Sequence, residues 1–87
     1  MDKKIILTQE TLQALKDELH GLETVERMYV EQALAEARAL GDLSENAEYE
    51  IALDERARVE SRIQHIQQIL ERAEIGSSDA SGRSAET

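Results

Sequence analysis

The chain has 87 residues, enough for one small domain, and contains no cysteine, proline, phenylalanine or tryptophan. The missing cysteines exclude disulfides, cysteine metal sites and cysteine nucleophiles, and the absence of proline favours long helices over an all-β fold. The formal net charge of −9 disfavours broad binding to nucleic acid or anionic membranes, and it indicates a basic partner or a cation.

Near the N-terminus, Lys3 and Lys4 precede a short apolar run of residues 5–7. A secretion signal needs a longer apolar region, and a membrane span needs roughly 20 apolar residues. We therefore expect a cytoplasmic protein that does not enter a membrane.

The first helix is predicted to begin at Thr8, a preferred residue type at helix N-termini, and to end before Gly41. Its apolar residues recur at helical spacing, first in the three–four–three steps of a coiled coil and then less regularly. The predicted seam comprises Leu12, Leu15, Leu19, Leu22, Val25, Tyr29, Ala33, Ala37 and Leu40.

Gly41 breaks this pattern, and the spacing of Asp42 and Glu45 is that of a capping box for a second helix. The second seam comprises Ala52, Val59, Ile63, Ile66, Leu70 and Ala73. In a chain folded back at Gly41, most facing seam residues have numbers that add up to 85, as for Leu22 and Ile63, and Val25 would face Val59.

The predicted fold is therefore all-α: a long antiparallel two-helix coiled-coil hairpin over residues 1–75, with arms of about 45 Å at 1.5 Å per residue. The Ser/Gly-rich residues 76–87 have no apolar period and are predicted to form a flexible, disordered C-terminal tail or linker.

The predicted turn concentrates negative charge. Residues 36–55 contain seven acids and only one basic residue, Arg38, which accounts for −6 of the net charge of −9. Asp42 and Glu45 have two interpretations, either as a plain N-cap with its capping-box partner or as ligands for one hard cation. Because two exposed carboxylates hold Mg²⁺ only weakly, the second interpretation requires further ligands from another protein.

Residues 41–49, which read GDLSENAEY, resemble the tip of the coiled coil in the Gre-type transcript cleavage factors, GreA and GreB. The resemblance covers roughly residues 5–75. It implies that the coiled coil enters the secondary channel of bacterial RNA polymerase in an elongation complex. There Asp42 and Glu45 would help to hold a Mg²⁺ ion shared with the polymerase, which then cleaves the 3′ end of backtracked nascent RNA.

The resemblance also implies further roles at the tip. Asn46, Glu48 and Tyr49 would contact the polymerase, Ser44 would face polymerase or RNA, and Arg38 would lie near the transcript. The chain itself would be a monomeric accessory factor and not an enzyme.

The sequence departs from the family pattern at three points. The family continues into a C-terminal globular domain beyond the region of resemblance, so the chain is expected to be an excised domain or a short paralogue. Met28 stands where relatives often have proline, which predicts an uninterrupted helix. Ser44 and Leu53 stand where relatives can be basic, which predicts reduced RNA contact. A channel-binding competitor without cleavage activity and a plain helical interaction module remain alternatives.

Overall fold

The computed structural model describes residues 3–76, and these form a helical hairpin with extents of 62 × 26 × 15 Å. The first arm comprises helix α1, a π-helical segment and helix α2; the second arm is helix α3. A short strand precedes the first arm and another follows the second arm, and these strands, β1 and β2, lie together at the open end of the hairpin. The bounds are Ile5–Leu7 for β1, Gln9–Gly21 for α1, Leu22–Glu26 for the π-helical segment, Arg27–Ala39 for α2, Ala47–Arg72 for α3 and Ala73–Ile75 for β2. The predicted two-helix hairpin is confirmed.

Thr8 begins the first arm as predicted. Its side-chain oxygen accepts a hydrogen bond from the backbone N–H of Thr11 at 3.1 Å, which satisfies one of the free donors of the first helical turn. Glu10 lies in the same turn, where the helix dipole favours a negative charge.

The first arm is helical without a break from Gln9 to Ala39, as predicted from Met28, but residues Leu22–Glu26 within it are π-helical. At the π-helical segment one additional residue is accommodated in the helix, which rotates everything that follows by about 100° relative to a regular α-helix. Within this segment the hydroxyl of Thr24 donates to the carbonyl oxygen of His20 at 2.7 Å, a local bond that competes with regular helix pairing.

Beyond Leu22 this rotation takes Val25, Tyr29 and Leu40 out of the predicted seam, whereas Ala37 is buried and Ala33 is half-buried, as predicted. Val25 is 59% exposed, and Tyr29 and Leu40 are each 69% exposed, so the pairing of Val25 with Val59 does not form. Val30 and Leu34, which were not predicted for the seam, are buried together with Ala37 in the second half of the arm.

The second arm follows the predicted pattern more closely. Ala52, Val59, Ile63 and Ile66 are buried, whereas Leu70 and Ala73 are half-buried. Val30, Leu34, Ala52, Val59 and Ile63 form one apolar cluster, with Leu19, Leu22, Ala33, Tyr49 and Leu53 packed against it. The small buried residues Ala37 and Ala52 lie toward the turn, as predicted for a narrow tip.

Two ion pairs join the arms along the edge of the seam. Arg62 donates to both carboxylate oxygens of Glu18 at 2.8 and 2.9 Å, and Arg27 does the same to Glu60 at 2.7 and 2.8 Å. These hydrogen bonds lower the pKa of Glu18 and of Glu60 below the ordinary value for glutamate. Because all four side chains remain substantially exposed, the pairs align the arms more than they stabilise the fold.

The open end of the hairpin is closed by two strands that the sequence analysis did not predict. Strands β1 and β2 pair in parallel, with Ile5 opposite Ala73 and Leu7 opposite Ile75. Gly76 was assigned to the tail, but its N–H donates to the carbonyl oxygen of Leu7 at 2.7 Å, and a Cβ atom there would lie 2.6 Å from Cγ2 of Ile6. Residues 77–87 of the predicted tail lie outside the described residues.

Candidate functional site at the hairpin tip

The chain reverses at Gly41 and Asp42. The N–H groups of Leu40 and Gly41 donate to the carbonyl oxygens of Ala37 and Arg38, which ends α2. Gly41 has a φ of +83°, as expected for a glycine just past a helix end. Asp42 follows with a φ of +39°, a left-handed conformation that aspartate tolerates better than most residues.

Asp42 and Glu45 do not form the predicted capping box of α3. Residues Leu43–Glu45 form a separate 3₁₀ turn, and the side chain of Asp42 makes no capping bond. Helix α3 begins two residues after Glu45, where Asn46 is the N-cap and its side-chain oxygen accepts from the N–H of Tyr49 at 3.1 Å. The helix therefore starts later than the capping-box spacing indicated.

Asn46 also ties the turn to the first arm. Its Nδ2 donates to the carbonyl oxygen of Ala37 at 2.8 Å and to that of Gly41 at 3.3 Å, and only 9% of the residue is exposed. Asn46 was predicted as a polymerase contact, and its role in the turn was not predicted. The available signal was that asparagine is among the preferred N-cap residue types.

With the capping provided by Asn46, both tip carboxylates face solvent. Ser44 lies between them, and its hydroxyl donates to Oδ1 of Asp42 at 2.9 Å, which restrains that carboxylate. Neither Asp42 nor Glu45 takes part in an ion pair within residues 3–76. Two carboxylates free of cationic partners are hard oxygen donors of the kind that Mg²⁺ prefers.

The described part of the chain contains no cluster of three or more His, Cys, Asp or Glu side chains arranged to hold a metal ion. Asp42 and Glu45 have the oxygen chemistry that suits Mg²⁺, but two carboxylates supply fewer ligands than the octahedral ion takes. Within the same residues, no helix is long and apolar enough to cross a membrane.

Arg38 and Tyr49 form a second group beside the turn. The guanidinium carbon of Arg38 lies 5.9 Å from the centre of the Tyr49 ring, within the range of a cation–π contact. Tyr49 is half-buried against the apolar cluster, so its ring supports Arg38 from one side. Glu48 is exposed on the first turn of α3. The turn thus places Arg38 against Tyr49, Ser44 against the Asp42 carboxylate and the buried Asn46 between the two arms.

Comparison with known proteins identifies the fold family. The family model described as "Transcription elongation factor, N-terminal", which covers GreA and GreB, matches residues 5–75. The chain belongs to this family. The predicted resemblance is therefore confirmed over the whole hairpin.

Curated relatives named "Transcription elongation factor GreA" are about half identical to the chain. The protein from Lachnoclostridium phytofermentans is 51% identical over 74 residues, which is 85% of this chain and 46% of the relative. The protein from Mycoplasmopsis agalactiae is 53% identical over 74 residues, covering 85% and 45%. The protein from Rickettsia bellii is 51% identical over 75 residues, covering 86% and 46%. The chain thus spans about half the length of the curated relatives that it matches.

Proposed function

We propose that this member of the Gre family binds bacterial RNA polymerase in the cytoplasm and inserts its hairpin tip into the polymerase's secondary channel. There it stimulates the polymerase to cleave the 3′ end of backtracked nascent RNA, which rescues arrested elongation complexes. The observation that carries the proposal is the pair of exposed carboxylates, Asp42 and Glu45, at the end of a rod 62 Å long and 15 Å across its narrowest dimension.

In this proposal the chain supplies part of a shared site and is not an enzyme by itself. Asp42 and Glu45 would hold Mg²⁺ together with acidic ligands of the polymerase. When bound, the ion supplies charge neutralisation and an activated water for phosphodiester hydrolysis.

The other tip residues either position these two acids or contact the polymerase and its transcript. Ser44 restrains the Asp42 carboxylate through its 2.9 Å hydrogen bond, and Asn46 fixes the turn against the first arm. Arg38 rests on Tyr49 with its guanidinium exposed, so it can bind a phosphate of the transcript. Ser44, Glu48 and the free edge of Tyr49 would contact the polymerase.

The test is cleavage of nascent RNA in stalled, backtracked bacterial elongation complexes with the chain in excess and Mg²⁺ present. Asp42→Asn keeps an acceptor for Ser44 and tolerates the left-handed backbone, so it removes the charge with little change in the fold. We expect Asp42→Asn and Glu45→Gln each to slow cleavage on the order of 10²-fold, as for loss of a preorganised charged group.

Glu50→Gln is the matched control, because Glu50 is an exposed acid in the first turn of α3 outside the 3₁₀ turn. Circular dichroism should give all variants the helicity of the wild type. Full cleavage by Asp42→Asn would refute the metal-positioning role. If the wild type does not stimulate cleavage but blocks cleavage by a full-length GreA, the chain is a competitor. Inactivity in both assays would leave only a helical module.

A further inference from the structure

A groove runs between the two arms beside the tip. It has a volume of about 600 Å³ and is lined by apolar side chains and by three glutamates. Its main lining residues are Tyr29, Leu40, Ile51, Glu36, Glu48 and Glu55. The large apolar side chains of Tyr29, Leu40 and Ile51 are 69%, 69% and 64% exposed, which puts them among the most exposed of their kind in the described chain.

These apolar residues do not serve the hairpin core. The rotation at the π-helical segment buries Val30 and Leu34 in the seam and leaves Tyr29 and Leu40 outside it. Ile51 lies on the second arm next to the buried Ala52 and is likewise exposed. Large exposed apolar side chains that line one groove and are rimmed by polar residues are typical of a surface that another macromolecule covers.

The charges around the groove limit what that macromolecule can be. Glu36, Glu48 and Glu55 would repel RNA phosphates, an anionic membrane and a second copy of this chain, which carries a net charge of −9. The complementary occupant has apolar side chains flanked by arginine or lysine. From Tyr29 to Leu40 the groove follows about three helical turns, a length suited to a helix packed between the arms.

We propose that this groove binds a basic amphipathic helix of the RNA polymerase, a proposal that rests on the proposed function. Leu40 directly precedes Gly41 and Asp42. A helix seated in the groove therefore fixes the rotation of the hairpin about its long axis, and with it the direction in which Asp42 and Glu45 point.

The first test compares binding of groove variants and matched controls to polymerase, measured by fluorescence anisotropy of the labelled chain. Glu36→Lys and Ile51→Ser alter the groove. The matched controls lie at exposed residues outside the groove. Glu31→Lys reverses the same charge as Glu36→Lys, and Met28→Ser replaces a large apolar side chain by serine as Ile51→Ser does. We expect the dissociation constant to rise about tenfold or more for each groove variant, as for interface anchors, and to stay near the wild-type value for each control.

The second test identifies the occupant. A photocrosslinking amino acid in place of Tyr29 should attach to a polymerase segment that has apolar residues flanked by lysine or arginine. A crosslink to a segment without basic residues would overturn the proposal, and so would groove variants that bind like their controls. A dimer in sedimentation equilibrium that Ile51→Ser abolishes would also overturn it, because the occupant would then be a second copy.

These outcomes separate the groove from the tip. Groove-dependent binding without cleavage dependent on Asp42 would refute the proposed function and keep the groove assignment. Cleavage that depends on Asp42 together with binding indifferent to the groove would do the reverse. Absence of any binding by the wild type would overturn both.

Discussion

At the residue scale, one asparagine does what two acids were predicted to do. Asn46 caps α3 through Tyr49 and bonds the carbonyl oxygens of Ala37 and Gly41 in and after the first arm. A buried amide with partners on both sides of a turn fixes its geometry, because any movement leaves polar groups unpaired. Asp42 and Glu45 are thereby released from capping and face solvent.

Asn46→Ala should lower the free energy of unfolding by about 1–3 kcal/mol, since it removes a helix cap and leaves the Ala37 carbonyl without its side-chain partner. Asp42→Asn is the matched comparison, and it should change that free energy by less than about 0.5 kcal/mol, as for a surface substitution. Urea unfolding followed by circular dichroism measures both. If both variants lost the same free energy of unfolding, Asp42 would contribute to the fold in the way that the predicted capping box requires.

At the element scale, the π-helical segment determines which face of the first arm is buried. The second half of that arm carries two adjacent apolar stripes, one with Tyr29 and Leu40 and the other with Val30 and Leu34. A regular helix continuing from Leu22 would bury the first stripe against the second arm, whereas the additional residue turns the helix so that the second stripe is buried. The unselected stripe then becomes the exposed lining of the groove.

Removal of the additional residue provides a direct test of this interpretation. Without one residue between Leu22 and Val30, the buried positions return to three–four steps, so deletion of Thr24 should give a regular α-helix with the same core. We expect its melting temperature to stay within about 5 °C of the wild type, a change on the order of 1 kcal/mol for a domain of this size.

Deletion of Ala35 is the control for this experiment. It lies in α2, where no π-helical segment can absorb the change, so its loss should rotate the Asn46 acceptor Ala37 out of place. The melting temperature should then fall by more than about 10 °C. Equal effects of the two deletions would show that the π-helical segment is not a one-residue insertion in the seam.

At the scale of the whole molecule, the acids that form ion pairs between the arms and the acids at the tip lie in different parts of the rod. The ion pairs between the arms lie away from the turn, at Glu18–Arg62 and Arg27–Glu60. The tip acids Asp42 and Glu45 make no such pair within the described residues. The acids that pair across the two arms are therefore not those proposed to act in the polymerase.

The pH dependence of stability should report the ion pairs between the arms. The hydrogen bond from Arg62 lowers the pKa of Glu18 in the folded state from its ordinary value of 4.5. Stability from this pair is therefore present above about pH 4.5 and is lost as the pH falls through the lower folded pKa. The difference in free energy of unfolding between wild type and Arg62→Gln should be constant near neutral pH and shrink during this acidification.

Arg72→Gln is the control, because Arg72 is an exposed arginine of the same helix without an ion pair among residues 3–76. Its difference from the wild type should not follow the titration of Glu18. Protonation of the other acids affects wild type and variants alike and cancels in the comparison. A pH-independent difference for Arg62→Gln would show that the Glu18 pair does not form in solution.

The sequence alone determined the hairpin, its fold point and its family. Residues Leu12 to Leu22 and residues Val59 to Ile66 each show helical spacing that can be read from the local sequence. A single fold point at Gly41 places these two apolar patterns opposite each other. The tip residues 41–49 are contiguous, so a single chain segment carries both the resemblance and the candidate acids. Their roles in polymerase binding and Mg²⁺ positioning stay predictions.

Only the tertiary structure decided how the arms face each other and how the ends are held. Whether Tyr29 or Val30 is buried depends on one additional helical residue. The sequence does not distinguish the two possibilities, because both stripes of the arm contain apolar residues at helical spacing. The pairing of Ile5–Leu7 with Ala73–Ile75 joins segments too short to predict and far apart in sequence. The role of Asn46 likewise depends on the carbonyl oxygen of Ala37, which folding brings to it from nine residues away.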